Sequence, residues 1–200
     1  MPTSGRTGAI PILGTSIPAR RFLQTMSSTP LDTTHLAALN AMTKDQFVQA
    51  LGDIFEHSPD VAEAAWAARP FASVDALHDA MMASIRARSI DARKAFFDRH
   101  PELSAQAVRG GGLTHASVSE QTSAGLDALT DDEEIRLQRM NRAYREQHGF
   151  PFIICVRHYT KAGIFFELES RVARDTAFEL DYALNQIKAI TRRRLDQRVA

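Results

Sequence analysis

Residues 130–149 read TDDEEIRLQRMNRAYREQHG, and this stretch decides the fold class. Thr130 and Glu133 stand three apart, the spacing of a capping box in which each side chain satisfies the other's backbone N–H. His148-Gly149 is a stop signal, with glycine suited to a left-handed position just past the end. The spacing predicts one long helix to about Gln147.

The same helical grammar extends both ways. Upstream, Thr43-x-x-Gln46 is another capping box, followed by Phe47, Ala50, Leu51, Ile54 and Phe55 at helical spacing. Ser58-Pro59 restarts the chain, with proline at a first helical position, and Ser73 caps a helix to about Arg88. Asp91–Arg99 and Pro101–Val108 read as two short helices, and Ser117 to Leu129 as another. Arg109-Gly110-Gly111-Gly112 is read as a connector, since no phosphate-loop pattern accompanies it. Downstream, Lys161–Arg171 and Asp175–Gln197 are helical. Only the apolar run Phe150–Val156 suggests a strand, and it has no evident partner strand. The reading is all-α: a single-domain helical bundle of about eight or nine helices over residues 36–198.

Composition agrees. The chain has 200 residues, 44% hydrophobic and 24% charged, with 24 basic and 24 acidic side chains. Zero net charge points to no nucleic-acid or membrane partner, and no apolar run approaches the ~18 residues of a transmembrane span. Residues 1–31 differ, with three arginines, no acid and many Gly, Pro, Ser and Thr. They read as a flexible tail or a misassigned start ahead of Met26, with a targeting leader as a weaker alternative. The single cysteine, Cys155, lies in an apolar run and reads as a buried, inert thiol in a reducing compartment. The C-terminal Arg198-Val199-Ala200 lacks a peroxisomal signal, which leaves the cytoplasm as the expected location.

Several polar residues have two readings. His100 precedes Pro101, whose ring drives it out of the helical region, so the imidazole sits at a rigid break. It either ends a helix or acts as a general acid/base. Ser117-x-x-Glu120 matches a capping box, which gives Glu120 a structural role; Gln121 follows it. Ala183, Ile187, Ile190 and Arg194 share one face of the last helix, so Arg194 either snorkels outward or is held inward against an anion such as a substrate carboxylate. The seven histidines form no H-x-x-x-H pair, so no metal site is expected.

Taken in order, these residues resemble a known family. His100-Pro101-Glu102-Leu103, Leu113-Thr114, Ser117-x-x-Glu120-Gln121-x-x-Ala124-Gly125-Leu126 and Asn141-x-x-Tyr144-x-x-x-x-Gly149-Phe150-Pro151-Phe152-Ile153 look like 2-oxo-4-hydroxy-4-carboxy-5-ureidoimidazoline (OHCU) decarboxylase. Ala65-Trp66-x-x-Arg69-Pro70-Phe71 and Arg194-Leu195 also fit. The resemblance implies an all-α, homodimeric, cofactor-independent carboxy-lyase of urate breakdown that releases CO2 and delivers (S)-allantoin. It puts His100 and Glu120 in catalysis. Substrate binding falls to Pro101, Ser117, Gln121, Arg194 and the main chain of Phe152, Ile153 and Ile154. Departures are small: Glu102 where the family often has Asp, Ser104-Ala105 for Ala-Gly, and His148 for an aromatic. The competing readings are a non-catalytic helical binding module, which has no pocket joining His100, Glu120 and Arg194, and a lyase or hydratase acting on another small carboxylic acid.

Overall fold

The computed structural model describes residues 34–110 and 113–199. The expectations for residues 1–31, and for Gly111 and Gly112 of the connector, lie outside the described residues. Ten α-helices follow in order: α1 (Leu36–Ala41), α2 (Lys44–Leu51), α3 (Pro59–Trp66), α4 (Val74–Arg86), α5 (Ile90–Phe97), α6 (Ala105–Gly110), α7 (His115–Ser123), α8 (Asp131–His148), α9 (Lys161–Val172) and α10 (Thr176–Arg198). Two 3₁₀ turns, Leu126–Ala128 and Val156–His158, complete the list. Among the described residues there is no strand; one isolated parallel bridge joins Thr34 to Val199. No described helix is long and apolar enough to cross a membrane.

Helix starts follow local chemistry. The capping boxes at Thr43/Gln46 and Thr130/Glu133 are both formed. Ser73 accepts from the Ala76 N–H, and Gly149 closes α8 at φ 76°, a left-handed value that glycine adopts without strain.

Three boundaries differ from the sequence reading. Pro101 does not open a helix: residues 101–104 form no regular element, and α6 begins at Ala105, with Ser104 Oγ accepting from the Ala107 N–H. This run is held from outside, because Asn141 of α8 donates to the Leu103 carbonyl at 2.9 Å and the Ser104 N–H donates to Gln121. Ser117 does not cap α7. Thr114 does, accepting from the Ser117 N–H, so the helix starts two residues earlier and Glu120, in its second turn, is free to pair with Arg194. The same helix stops at Ser123 instead of running to Leu129, with Gly125 turning the chain at φ 72° ahead of a 3₁₀ turn; α3 does begin at Pro59, although the Ser58 hydroxyl donates to the Glu56 carbonyl and not to the helix.

The core joins α2, α3, α4, α5, α8, α9 and α10. Leu77, Met81 and Ile85 of α4 are buried, as are Leu180, Ala183, Leu184 and Ile187 of α10. An aromatic cluster of Phe96, Phe97, Tyr144, Phe150 and Phe152 fills the centre, with Phe97–Phe150 and Tyr144–Phe152 ring centroids 5.1 and 5.2 Å apart. Ring pairs at these separations contribute beyond the area they bury.

Residues 150–155 form neither helix nor strand, although all six are buried. Buried backbone polar groups need partners, and here side chains supply them. Arg171 of α9 donates to the Ile153 carbonyl at 3.0 Å, and Gln186 of α10 accepts from the Cys155 N–H at 3.0 Å. Cys155 is a buried free thiol, and burial pushes its pKa up.

Candidate active site

Four parts of the chain converge on one pocket. The link between α5 and α6 brings His100 and Pro101; α7 brings Ser117, Glu120 and Gln121; residues 152–154 form a wall; α10 brings Arg194. Positions 117, 120 and 121 lie at i, i+3 and i+4, which puts them on one helix face. Every residue that the resemblance singled out lines this pocket, along with Glu56, Leu103, Val156 and Ile190. A single cavity therefore joins His100, Glu120 and Arg194, the arrangement a non-catalytic module lacks.

Arg194 is the hub. Its side chain is 10% exposed and donates from Nε and Nη2 to the two carboxylate oxygens of Glu120, at 3.1 and 2.9 Å. That is the two-pronged geometry that only a guanidinium supplies. Its Nη1 donates to Glu56 at 2.9 Å. Burial disfavours the charged guanidinium, but the Glu120 and Glu56 carboxylates outweigh it and raise its pKa.

Glu56 is the residue that the sequence reading missed. It is 2% exposed and accepts hydrogen bonds from Thr114 Oγ1 (2.6 Å), Ser117 Oγ (3.1 Å) and Arg194. Burial pushes its carboxyl up, yet Thr114, Arg194 and Ser117 together hold it below the usual range, so it is ionised. The inward arginine was matched in sequence to a substrate carboxylate; the fold also gives it two protein carboxylates. The one local signal was an acid, Glu56, placed directly behind the buried pair Ile54-Phe55.

His100 is 9% exposed, packs edge-on against Phe96 at 5.3 Å, and its Nδ1 is buried without a hydrogen-bond partner. Burial lowers its pKa to about 4, against the raising influence of the Glu56 charge. The ring is thus neutral near pH 7, a base rather than an acid. It does not cap α5 as a cation at the helix end. Gln121 is buried, its Oε1 tied to the Ser104 N–H.

Among the described residues no group of three or more His, Cys, Asp or Glu could hold a metal ion. The site is a neutral imidazole, two carboxylates, an arginine, a serine and an amide around a small cavity. This is the equipment of an acid–base enzyme acting on a polar small molecule.

Comparisons narrow that class. A model of the OHCU decarboxylase family matches residues 40–196. The OHCU decarboxylase of Haloferax volcanii is 37% identical over 163 residues, spanning 82% of this chain and 95% of that protein. The mouse (Mus musculus) enzyme is 35% identical over 160 residues, spanning 80% and 90%. The crystal structure of an (S)-allantoin synthase superposes with a TM-score of 0.66 at 29% identity, covering 84% of this chain and 54% of that one. The chain thus spans about half the length of that solved protein. It belongs to the OHCU decarboxylase family.

Proposed function

We propose that this protein removes the carboxylate of OHCU to give (S)-allantoin and CO2, a step of urate degradation. The observation that carries the reading is the buried, neutral His100 opposite Arg194 in one pocket, within a chain of this family.

The substrate supplies its own electron sink. When the bond from C4 to the carboxylate breaks, its electron pair enters C4–C5, and the neighbouring ring imine nitrogen takes up a proton. The 4-hydroxyl then gives up its proton to become the carbonyl, and C5 gains a proton, which creates the stereocentre. One proton is consumed overall and no redox partner is needed. The resemblance likewise implies no cofactor.

The protein's work is orientation and proton handling. His100 is suited to accept the hydroxyl proton and to return one to C5 from a single face. Arg194 and the walls at Phe152, Ile153 and Ile154 orient the ring. Glu120, Gln121 and Ser117 face the ureido and ring N–H groups, and Pro101 fixes the approach of His100. Glu56, held ionised beside Arg194, would repel a substrate carboxylate bound at that arginine, so loss of neutral CO2 would relieve repulsion. The reading includes a homodimer, which sedimentation equilibrium would test, and a cytoplasmic location, which fractionation would test.

The test generates OHCU from urate with urate oxidase and hydroxyisourate hydrolase, adds this protein, and follows circular dichroism. A fast (S)-allantoin signal, at least about 100-fold weaker in His100→Asn, is the expected result. Racemic product at the uncatalysed rate from folded protein would remove the assignment.

A further inference from the structure

The pocket around His100 is too small for its proposed substrate. It encloses about 40 Å³, whereas an acid of ~14 non-hydrogen atoms needs a pocket on the order of a few hundred Å³. A second recess, of about 420 Å³, lies beside it. Glu120 and Arg194 line both, so their ion pair is the partition between the two.

The outer recess is built differently from the inner one. Its rim carries Arg157, Arg193 and Arg198, with Arg194 at the partition, against two carboxylates, Asp53 and Glu120. Those carboxylates are already engaged, Asp53 by Arg198 and Glu120 by Arg194. Arg157 and Arg193 have no carboxylate partner among the described residues; both are exposed, and Arg157 donates only to Ser119, at 3.2 and 3.5 Å. Elsewhere most arginines are paired, as on a chain of zero net charge they can be. An excess of positive charge in a concave site beside a reactive pocket concentrates anions there and speeds their capture. Ser119 and Gln197 add a hydroxyl and an amide at the same rim, groups that hydrogen-bond a ureido or amide function.

We infer that this recess is an antechamber: a first binding site for carboxylate-bearing ureido compounds, which Arg157 and Arg193 capture before the Glu120–Arg194 partition admits them to His100. The inference rests on the decarboxylase reading for its substrate, but the site itself is defined by charge and shape. The two arginines act on arrival rather than on bond breaking.

Two measurements test it. First, kcat/KM of wild type and of Arg157→Gln/Arg193→Gln is followed against ionic strength. The expected result is a roughly ten-fold lower kcat/KM at low salt, carried by KM, and a flattened salt dependence. Arg139→Gln/Arg142→Gln is the control for net charge, since these exposed α8 residues line neither cavity. A recess variant that behaves like the control pair overturns the inference while leaving the decarboxylase reading intact. Second, wild type labelled at the arginine Nε is titrated with N-carbamoylglycine, which joins a carboxylate to a ureido group, and needs no turnover. Saturable shifts at Arg157 and Arg193 support the site even if OHCU proves not to be the substrate. Shifts absent from both arginines overturn it.

Discussion

Two arginines on the last two helices are both drawn inward, and they solve the problem differently. Arg171 of α9 is sealed. It and Glu179 are each 0% exposed, its Nε donates to Glu179 at 2.6 Å, and its plane lies 4.3 and 4.7 Å from the Phe152 and Tyr182 rings. Tyr144 donates to the same Glu179 oxygen, and burial with that bond drives its pKa up, so it stays a donor. Arg194 of α10 instead faces a cavity with two carboxylates and an open side. One cluster is closed in by protein and holds a pocket wall through Ile153; the other leaves its charge within reach of a small molecule. Burial of an ion pair alone therefore does not mark a site. A cavity beside it, lined by His100 and Arg194 together, does.

Perturbation should separate the two clusters. The largest effect is expected from Arg171→Leu, which strands Glu179 without its cation in the core. Breaking one side of such a pair costs about 3–5 kcal/mol, read as a lower urea midpoint. An unchanged midpoint would mean that the sealed cluster is not structural.

Next comes pH. The folded His100 has a pKa of about 4, below its usual 6.5. As pH falls below about 6.5 the unfolded chain takes up a proton that the folded chain refuses until near 4, so stability drops across that window. The amplitude is about 3 kcal/mol. Glu56, held low, adds a loss of the same sign as pH falls through its folded pKa. In His100→Asn the part between about pH 6.5 and 4 should disappear; denaturant midpoints measured at several pH values decide it.

Arg194→Lys keeps the charge but not the fork. We expect about a 100-fold lower kcat/KM, roughly 2.7 kcal/mol, with the urea midpoint shifted by less than the Arg171 variant. Equal losses of fold in both variants would erase the contrast. The smallest effect belongs to Thr114→Val, which removes the α7 cap and a donor to Glu56. It should lower stability by about 1–2 kcal/mol and move the KM only modestly.

The legible parts of this molecule are those that chemistry writes locally. The start of α8 follows from Thr130 and Glu133, three residues apart, and its end from Gly149 directly after His148; Thr43 and Ser73 start helices in the same local way. Where two neighbours offer the same chemistry the reading failed: Thr114 and Ser117 both suit a cap, and only packing against Glu56 decides between them. Glu56 escaped because its importance lies in partners 58, 61 and 138 positions away. The site residues His100, Glu120 and Arg194 came from the order of motifs rather than from helical periodicity, which gave Glu120 to a cap that does not form. Residues 150–155 defied classification for a physical reason: the Ile153 carbonyl and the Cys155 N–H bond to Arg171 and Gln186, side chains that no strand pattern announces.

The bridge between Thr34 and Val199 has a topological consequence. The Thr34 N–H donates to the Arg198 carbonyl at 2.9 Å, so the first and last described residues sit side by side, next to the helix that carries Arg194. For residues 34–199 the chain is nearly a closed ring. A short linker across that seam permits a circular permutant cut in an exposed turn, such as the one between α9 and α10. Such a permutant of residues 34–199 places both of its ends at the α9–α10 turn and leaves α7 and α10, which carry the site, continuous.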